Sequence, residues 1–124
     1  MSYLFVAAGG ALGAAVRHWV VLRMLDWFGE WLPWGTLFVN VCGSFLIGLL
    51  ATLALETGRL SAHQRQFVLP GLLGGFTTYS AFSFETQRYL DRGDYGHAAL
   101  YVTLTLAGGL AGVLLGVALA RAVD

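Results

Sequence analysis

Residues 34–55 and 97–120 each run without an Asp, Glu, Lys or Arg. About 20 mostly apolar residues in a row cross the hydrocarbon core of a bilayer as a helix, and lipid forces the backbone to be helical because it offers no hydrogen bonds. Two such runs in a chain of 124 residues make it an integral membrane protein. Two further segments come close to the same pattern. Residues 3–25 are apolar apart from Arg17, His18 and Arg23, and residues 67–84 are apolar but rich in Gly, Thr and Ser. The connections, 26–33, 56–65 and 88–96, are too short to hold a folded domain and force neighbouring helices to be antiparallel. The expectation is an all-α membrane protein, one four-helix transmembrane domain spanning residues 1–124, multi-pass in the cell membrane.

Composition excludes other classes. Charged residues make up 11% of the chain, against the ~25% of soluble domains, so a water-facing surface could not be covered. There is no Lys, and Arg is balanced by Asp and Glu to a formal charge of zero. That removes the basic footprint of a nucleic-acid binder and the polybasic patch of a peripheral membrane protein. Cys42 is the sole cysteine, which excludes an intrachain disulfide framework and a cysteine-based zinc site. The first 16 residues carry no charge, unlike a secretory signal. Trp19, Trp27, Trp31 and Trp34 gather around the first connection, as an interfacial aromatic belt does.

Glycines recur four apart at 9/13, 71/75 and 108/112/116, a spacing that lets helix backbones approach closely in lipid. A small bundle packed this tightly has little interior, so a solute path belongs between subunits. The arginines point the same way. With four crossings, Arg59, Arg65 and Arg121 fall on the side of the termini and Arg23, Arg88 and Arg92 on the other, while Arg17 lies inside the first helix. Orientation follows the Lys and Arg bias, which is nil here. Balance predicts insertion both ways round, which makes an antiparallel, dual-topology homodimer with its two-fold axis in the membrane plane possible.

Polar groups at membrane depth are the candidate functional residues. Thr36, Asn40 and Ser44 share a face of the second helix. Asn40 offers two donors and an acceptor, and its position suits either an interhelical hydrogen bond or a donor aimed at an anion. The third segment reads LPGLLGGFTTYSAFSFE over 69–85. Pro70, the Gly74–Gly75 pair and two threonines predict a helix broken around 74–78. Non-helical backbone at that depth must be buried or line a cavity, and its carbonyls would suit a desolvated cation such as Na+. Beyond the break, Tyr79 and Phe82 neighbour each other on one face, continued by Ser83 and Thr86 with Ser80 beside it. Ring edges are positive and can contact an anion.

GGALGAAVRH (9–18), GTLFVNVCGSFLIG (35–48), GLLGGFTTYSAFSFE (71–85) and YVTLTLAGGLAG (101–112) together resemble the CrcB/Fluc family of fluoride channels over nearly the whole chain. The resemblance implies an antiparallel dimer with two pores that lets cytoplasmic fluoride leave down its electrochemical gradient. It implies that Asn40 is the pore asparagine and that the backbone carbonyls of Gly74 and Thr77 hold a structural Na+ at the dimer axis. Tyr79 and Phe82 then correspond to the ring pair lining the fluoride path, Ser80, Ser83 and Thr105 to hydroxyls along it, and Arg17 to the family's first-helix arginine at a vestibule. Tyr79 departs from the usual Phe, and Gly109 and Val113 stand where some members carry hydroxyls. Two other functions compete. A small dual-topology multidrug exporter needs a carboxylate at membrane depth, and Glu85 falls just after the apolar part of the third segment. A structural membrane subunit would have no transport of its own. An enzyme is not expected, because His18, His63 and His97 are dispersed and no nucleophile–base set is present.

Overall fold

The computed structural model describes residues 2–123, which are helical except for short connections. The helices are α1 (Ser2–Phe28), α2 (Trp34–Thr57), α3 (Ala62–Gln66), α4 (Gly74–Phe76), α5 (Tyr79–Asp91) and α6 (Tyr95–Val123), with a π-helical stretch, Phe67–Leu73, joining α3 to α4. Helices α1, α2 and α6 are each long and apolar enough to cross a membrane. The third segment is the composite α3–π–α4–α5, interrupted at Thr77 and Thr78. The expected four-segment, all-helical architecture with a broken third helix is therefore what the chain adopts.

Local sequence accounts for the ends. Gly58 closes α2 at φ 66°, a left-handed conformation that glycine adopts without strain. Ser61 opens α3 with a capping box, its hydroxyl accepting from the Gln64 N–H while the Gln64 side chain accepts from the Ser61 N–H. The π-helical stretch is explained by Pro70 within it. Proline has no N–H for the carbonyl four residues back, and widening the turn by one residue passes that task to the next residue. The widened ladder ends where the Gly74 N–H reaches the carbonyls of Leu69 and Gly71.

Two packings organise the bundle. Helix α2 lies along α6, and α1 lies along the π-helical stretch and α4. Both depend on glycine at the crossing. A Cβ on Gly13 would land on the Leu72 carbonyl oxygen, and one on Gly116 on the Phe45 carbonyl oxygen. At one end a compact cluster locks the connections together. The Tyr89 hydroxyl donates to the Trp31 carbonyl (2.8 Å), and His97 stacks on Tyr89 with ring centroids 5.5 Å apart. His97 Nδ1 also lies 2.9 Å from an Asp94 carboxylate oxygen. Hydrogen bonds from His97 hold the Asp94 carboxyl below its ordinary pKa. Leu32 and Tyr101 are fully buried beside this cluster. The apolar outer faces, with Leu110, Leu114 and Leu115 among the most exposed, suit contact with lipid rather than water.

Candidate functional site: the break in the third segment

The break is an extended dipeptide between two helices. Thr77 takes φ −89°, ψ 160° and Thr78 φ −150°, ψ 119°. The sequence placed the break across 74–78, but Gly74 is helical (φ −61°, ψ −39°) and the chain departs only at Thr77. Gly74 and Gly75 therefore do not supply unusual dihedrals. Gly75 is needed for close approach, since a Cβ there would stand 2.5 Å from the Gly10 carbonyl oxygen of α1.

Polar side chains satisfy the freed backbone. Asn40 of α2 pairs with both backbone groups of Thr78: its Nδ2 donates to the Thr78 carbonyl (2.9 Å) and its Oδ1 accepts from the Thr78 N–H (2.7 Å). An extended residue makes the same two bonds to a neighbouring strand. Of the two uses the sequence left open for Asn40, the interhelical bond is formed, and it goes to backbone. One N–H of the amide stays free of this pairing. The Thr78 hydroxyl caps α5 by accepting from the Ala81 N–H (3.2 Å). Thr77 turns its hydroxyl and its N–H back to the Leu73 carbonyl, each at 3.1 Å. From the opposite side, Arg17 Nε of α1 donates to the Gly75 carbonyl (3.0 Å).

Beside the break a concavity of about 420 Å³ opens on the surface of the chain. Asn40, Gly74, Thr77, Tyr79, Phe82 and Thr105 all line it, joined by Ser44 and Gly109. None of its lining residues is charged. The two rings meet edge to face, with centroids 6.0 Å apart at 63°. Phe82 is buried and in turn meets Tyr101 edge to face at 5.2 Å, whereas Tyr79 is 80% exposed in the single chain. The Thr105 hydroxyl is buried with no hydrogen-bond partner among the described residues, a polar atom that a ligand or water would satisfy. Three expected residues stand apart from this concavity. Ser80 is exposed, its hydroxyl 3.4 Å from that of Thr78; Ser83 is exposed; and Arg17 is engaged behind the break.

A polar cluster next to the rings was not foreseen. The Glu85 carboxylate, half-buried, accepts from the Thr36 hydroxyl (3.1 Å) and from the Tyr101 hydroxyl (2.8 Å). In the sequence Thr36 reads only as a member of the Asn40 face. Its value as a signal was the four-residue step that carries a hydroxyl one turn beyond Asn40, toward the end where Glu85 lies.

A helical membrane protein with an uncharged, hydroxyl- and ring-lined concavity at a broken helix is built to pass or hold a small solute at membrane depth. The family model described as CrcB-like protein, Camphor Resistance (CrcB), matches residues 4–117, and the chain belongs to that family. It is similar to curated relatives called fluoride-specific ion channel FluC. The relative from Thermus thermophilus is 49% identical, the alignment covering 87% of this chain and 86% of the relative. That from Opitutus terrae is 47% identical over 92% of this chain and 88% of its own. That from Allorhizobium ampelinum is 43% identical over 95% and 94%.

Proposed function

We infer that this chain is a fluoride-specific ion channel of the cell membrane, not an enzyme, and that it lets cytoplasmic fluoride leave down its electrochemical gradient. The observation that carries the reading is the concavity at the break, in a chain of this family. Fluoride is small and strongly hydrated, so a selective path must replace its water with donors while avoiding a site so strong that the ion is trapped. The free N–H of Asn40, the unpaired Thr105 hydroxyl and the edges of Phe82 and Tyr79 are donors of graded, modest strength. A proton-coupled exporter is disfavoured, because no carboxylate lines the concavity. Fluoride efflux from liposomes holding the purified protein, with chloride as control, tests the channel. Efflux of fluoride but not chloride is expected, and no efflux would favour an accessory subunit.

The channel is an antiparallel, dual-topology homodimer. The concavity is open on one side, and a second copy related by an in-plane two-fold axis would close it and so build two paths. Tagging both termini and finding every C-terminus on one side would exclude this arrangement. The backbone carbonyls of Gly74 and Thr77 from both chains would hold a structural Na+ at the two-fold axis. The residues fit the ion: both line the same concavity, helix α4 ends at Phe76 where carbonyls lose their helical partners, and neutral carbonyl oxygens are the donors a partly desolvated alkali cation takes. Bound there, Na+ would stabilise the assembled dimer by mass action.

A further inference from the structure

We propose that Asn40, Thr78 and Arg17 are positioning residues that select which carbonyls of the broken segment stay open to the cation. In an unbroken α-helix each carbonyl accepts from the N–H four residues on. Gly74 would then take the N–H of Thr78, and Thr77 that of Ala81. Here the Thr78 N–H goes to Asn40 Oδ1 and the Ala81 N–H to the Thr78 hydroxyl. Side chains thus draw the helical donors away from Gly74 and Thr77. Of the two carbonyls between them, Gly75, whose own helical donor would be Tyr79, is treated the other way and is filled from α1 by Arg17 Nε. A carbonyl without a donor is expensive at membrane depth, so diverting the donors of Gly74 and Thr77 while filling Gly75 beside them makes sense if the two open oxygens face an ion.

The inference rests on the Na+ reading above and gives Asn40 a task besides meeting fluoride. It separates Asn40, whose acceptor frees Gly74, from Thr78, whose hydroxyl frees Thr77. Arg17 becomes a blocking group for Gly75 rather than a vestibule charge, its guanidinium turned to backbone.

The experiment follows the thermal stability of the purified full-length dimer as Na+ replaces N-methylglucamine at constant ionic strength. Wild type is expected to be stabilised with a saturable midpoint. Thr78→Val keeps the side-chain shape but removes the hydroxyl, which leaves the Ala81 N–H free to draw the Thr77 carbonyl back toward a helical bond, and the midpoint should rise by about 10–100-fold, as when a group orienting a metal ligand is lost. Thr78→Ser restores the hydroxyl and should restore the midpoint. A flat wild-type titration would sink the Na+ reading and this inference with it. A normal wild-type titration with an unshifted Thr78→Val midpoint overturns the positioning role alone. Should Thr78→Val form no dimer, carbonyl-labelled wild type decides. The 13C resonances of Gly74 and Thr77 should move when Na+ replaces N-methylglucamine, and that of Gly75 should not. A shift at Gly75, or none at Thr77, overturns the assignment.

Discussion

The α2–α6 pair and the α1–broken-segment pair are both packed through glycine, yet they are held in different ways. Between α2 and α6, backbone meets backbone. A Cβ on Gly48 would stand 2.5 Å from the Val113 carbonyl oxygen, and one on Gly112 3.0 Å from that of Val41. Among the described residues, the side-chain hydrogen bonds joining these two helices belong to Glu56 and Arg121, exposed at one end. The third segment is shaped instead by polar side chains reaching backbone: Arg17 to Gly75, Asn40 to Thr78, and Thr77 to Leu73. One region is a scaffold whose geometry follows from close packing. The other is a piece of backbone whose unpaired groups are chosen residue by residue. Under the proposed reading function concentrates in the second, because a helix with all its bonds made offers an ion nothing.

The largest effect should come from filling a crossing point. Gly13→Ala and Gly116→Ala each place a methyl group on a carbonyl oxygen of the neighbouring element, and backbone cannot retreat as a flexible side chain can. Overpacking costs about 1–3 kcal/mol and occasionally more, and with backbone on both sides of the clash the loss should fall at the high end. Size-exclusion chromatography and thermal melting in detergent should show loss of the assembled peak for both. An unchanged profile for either would mean that the helices can slide apart there and that the packing is not the scaffold.

The next effect separates the two regions. Asn40→Ala removes both bonds to Thr78, each worth about 1 kcal/mol and more where a partner is left unpaired, but touches no glycine crossing. The dimer should assemble while fluoride efflux falls to that of empty liposomes. Asn40→Asp should also stop efflux, because a negative charge facing fluoride costs on the order of 4 kcal/mol at 4 Å and an effective dielectric of 20. Wild-type flux in either variant would show that the break does not depend on its side-chain clamp.

These differences explain what the sequence disclosed. The long apolar runs gave α1, α2 and α6 to within three residues at each end, since lipid leaves a long apolar run no alternative to a helix. The break at the threonines was legible from Pro70, the glycines and the hydroxyls. Its exact place was not, because Gly74 and Gly75 fit a helix as well as a turn and Asn40, 38 residues away from Thr78, decides where the chain leaves it. Partners so distant in the chain carry no spacing signal. The same holds for Glu85, which reads as an interfacial acid until Thr36 and Tyr101 are seen to donate to it. The π-helical stretch also went unforeseen, since Pro70 alone predicts a disrupted ladder and not which way it is relieved.

The rings should show intermediate effects. Phe82→Ile keeps bulk and apolarity but loses the ring quadrupole, in a residue that touches both Tyr79 and Tyr101 edge to face, so efflux should nearly stop with the dimer intact. Tyr79→Ile should be poor for the same reason. Tyr79→Phe removes only a hydroxyl from a ring that is mostly exposed in the single chain and should conduct. If all three variants conduct like wild type, the rings are packing and belong with the scaffold. If Tyr79→Phe alone fails, the hydroxyl and not the edge meets the ion.

The smallest effect should come from the ion pair that joins α2 to α6. Arg121 Nη2 lies 2.9 Å from a Glu56 carboxylate oxygen, but both side chains are substantially exposed. Exposed pairs contribute about 0–1 kcal/mol, since water screens the charges and two long side chains must be held still. Arg121→Gln should therefore leave the melting temperature close to that of wild type, and raising the salt concentration should mimic what little is lost. Placed beside Gly116→Ala on the same helix, the variant asks whether α2 and α6 are joined by charge or by shape. A loss as large as that of Gly116→Ala would reverse the reading of this pair as a glycine-packed scaffold. A loss smaller than that of Asn40→Ala would leave the polar contacts that matter gathered at the break.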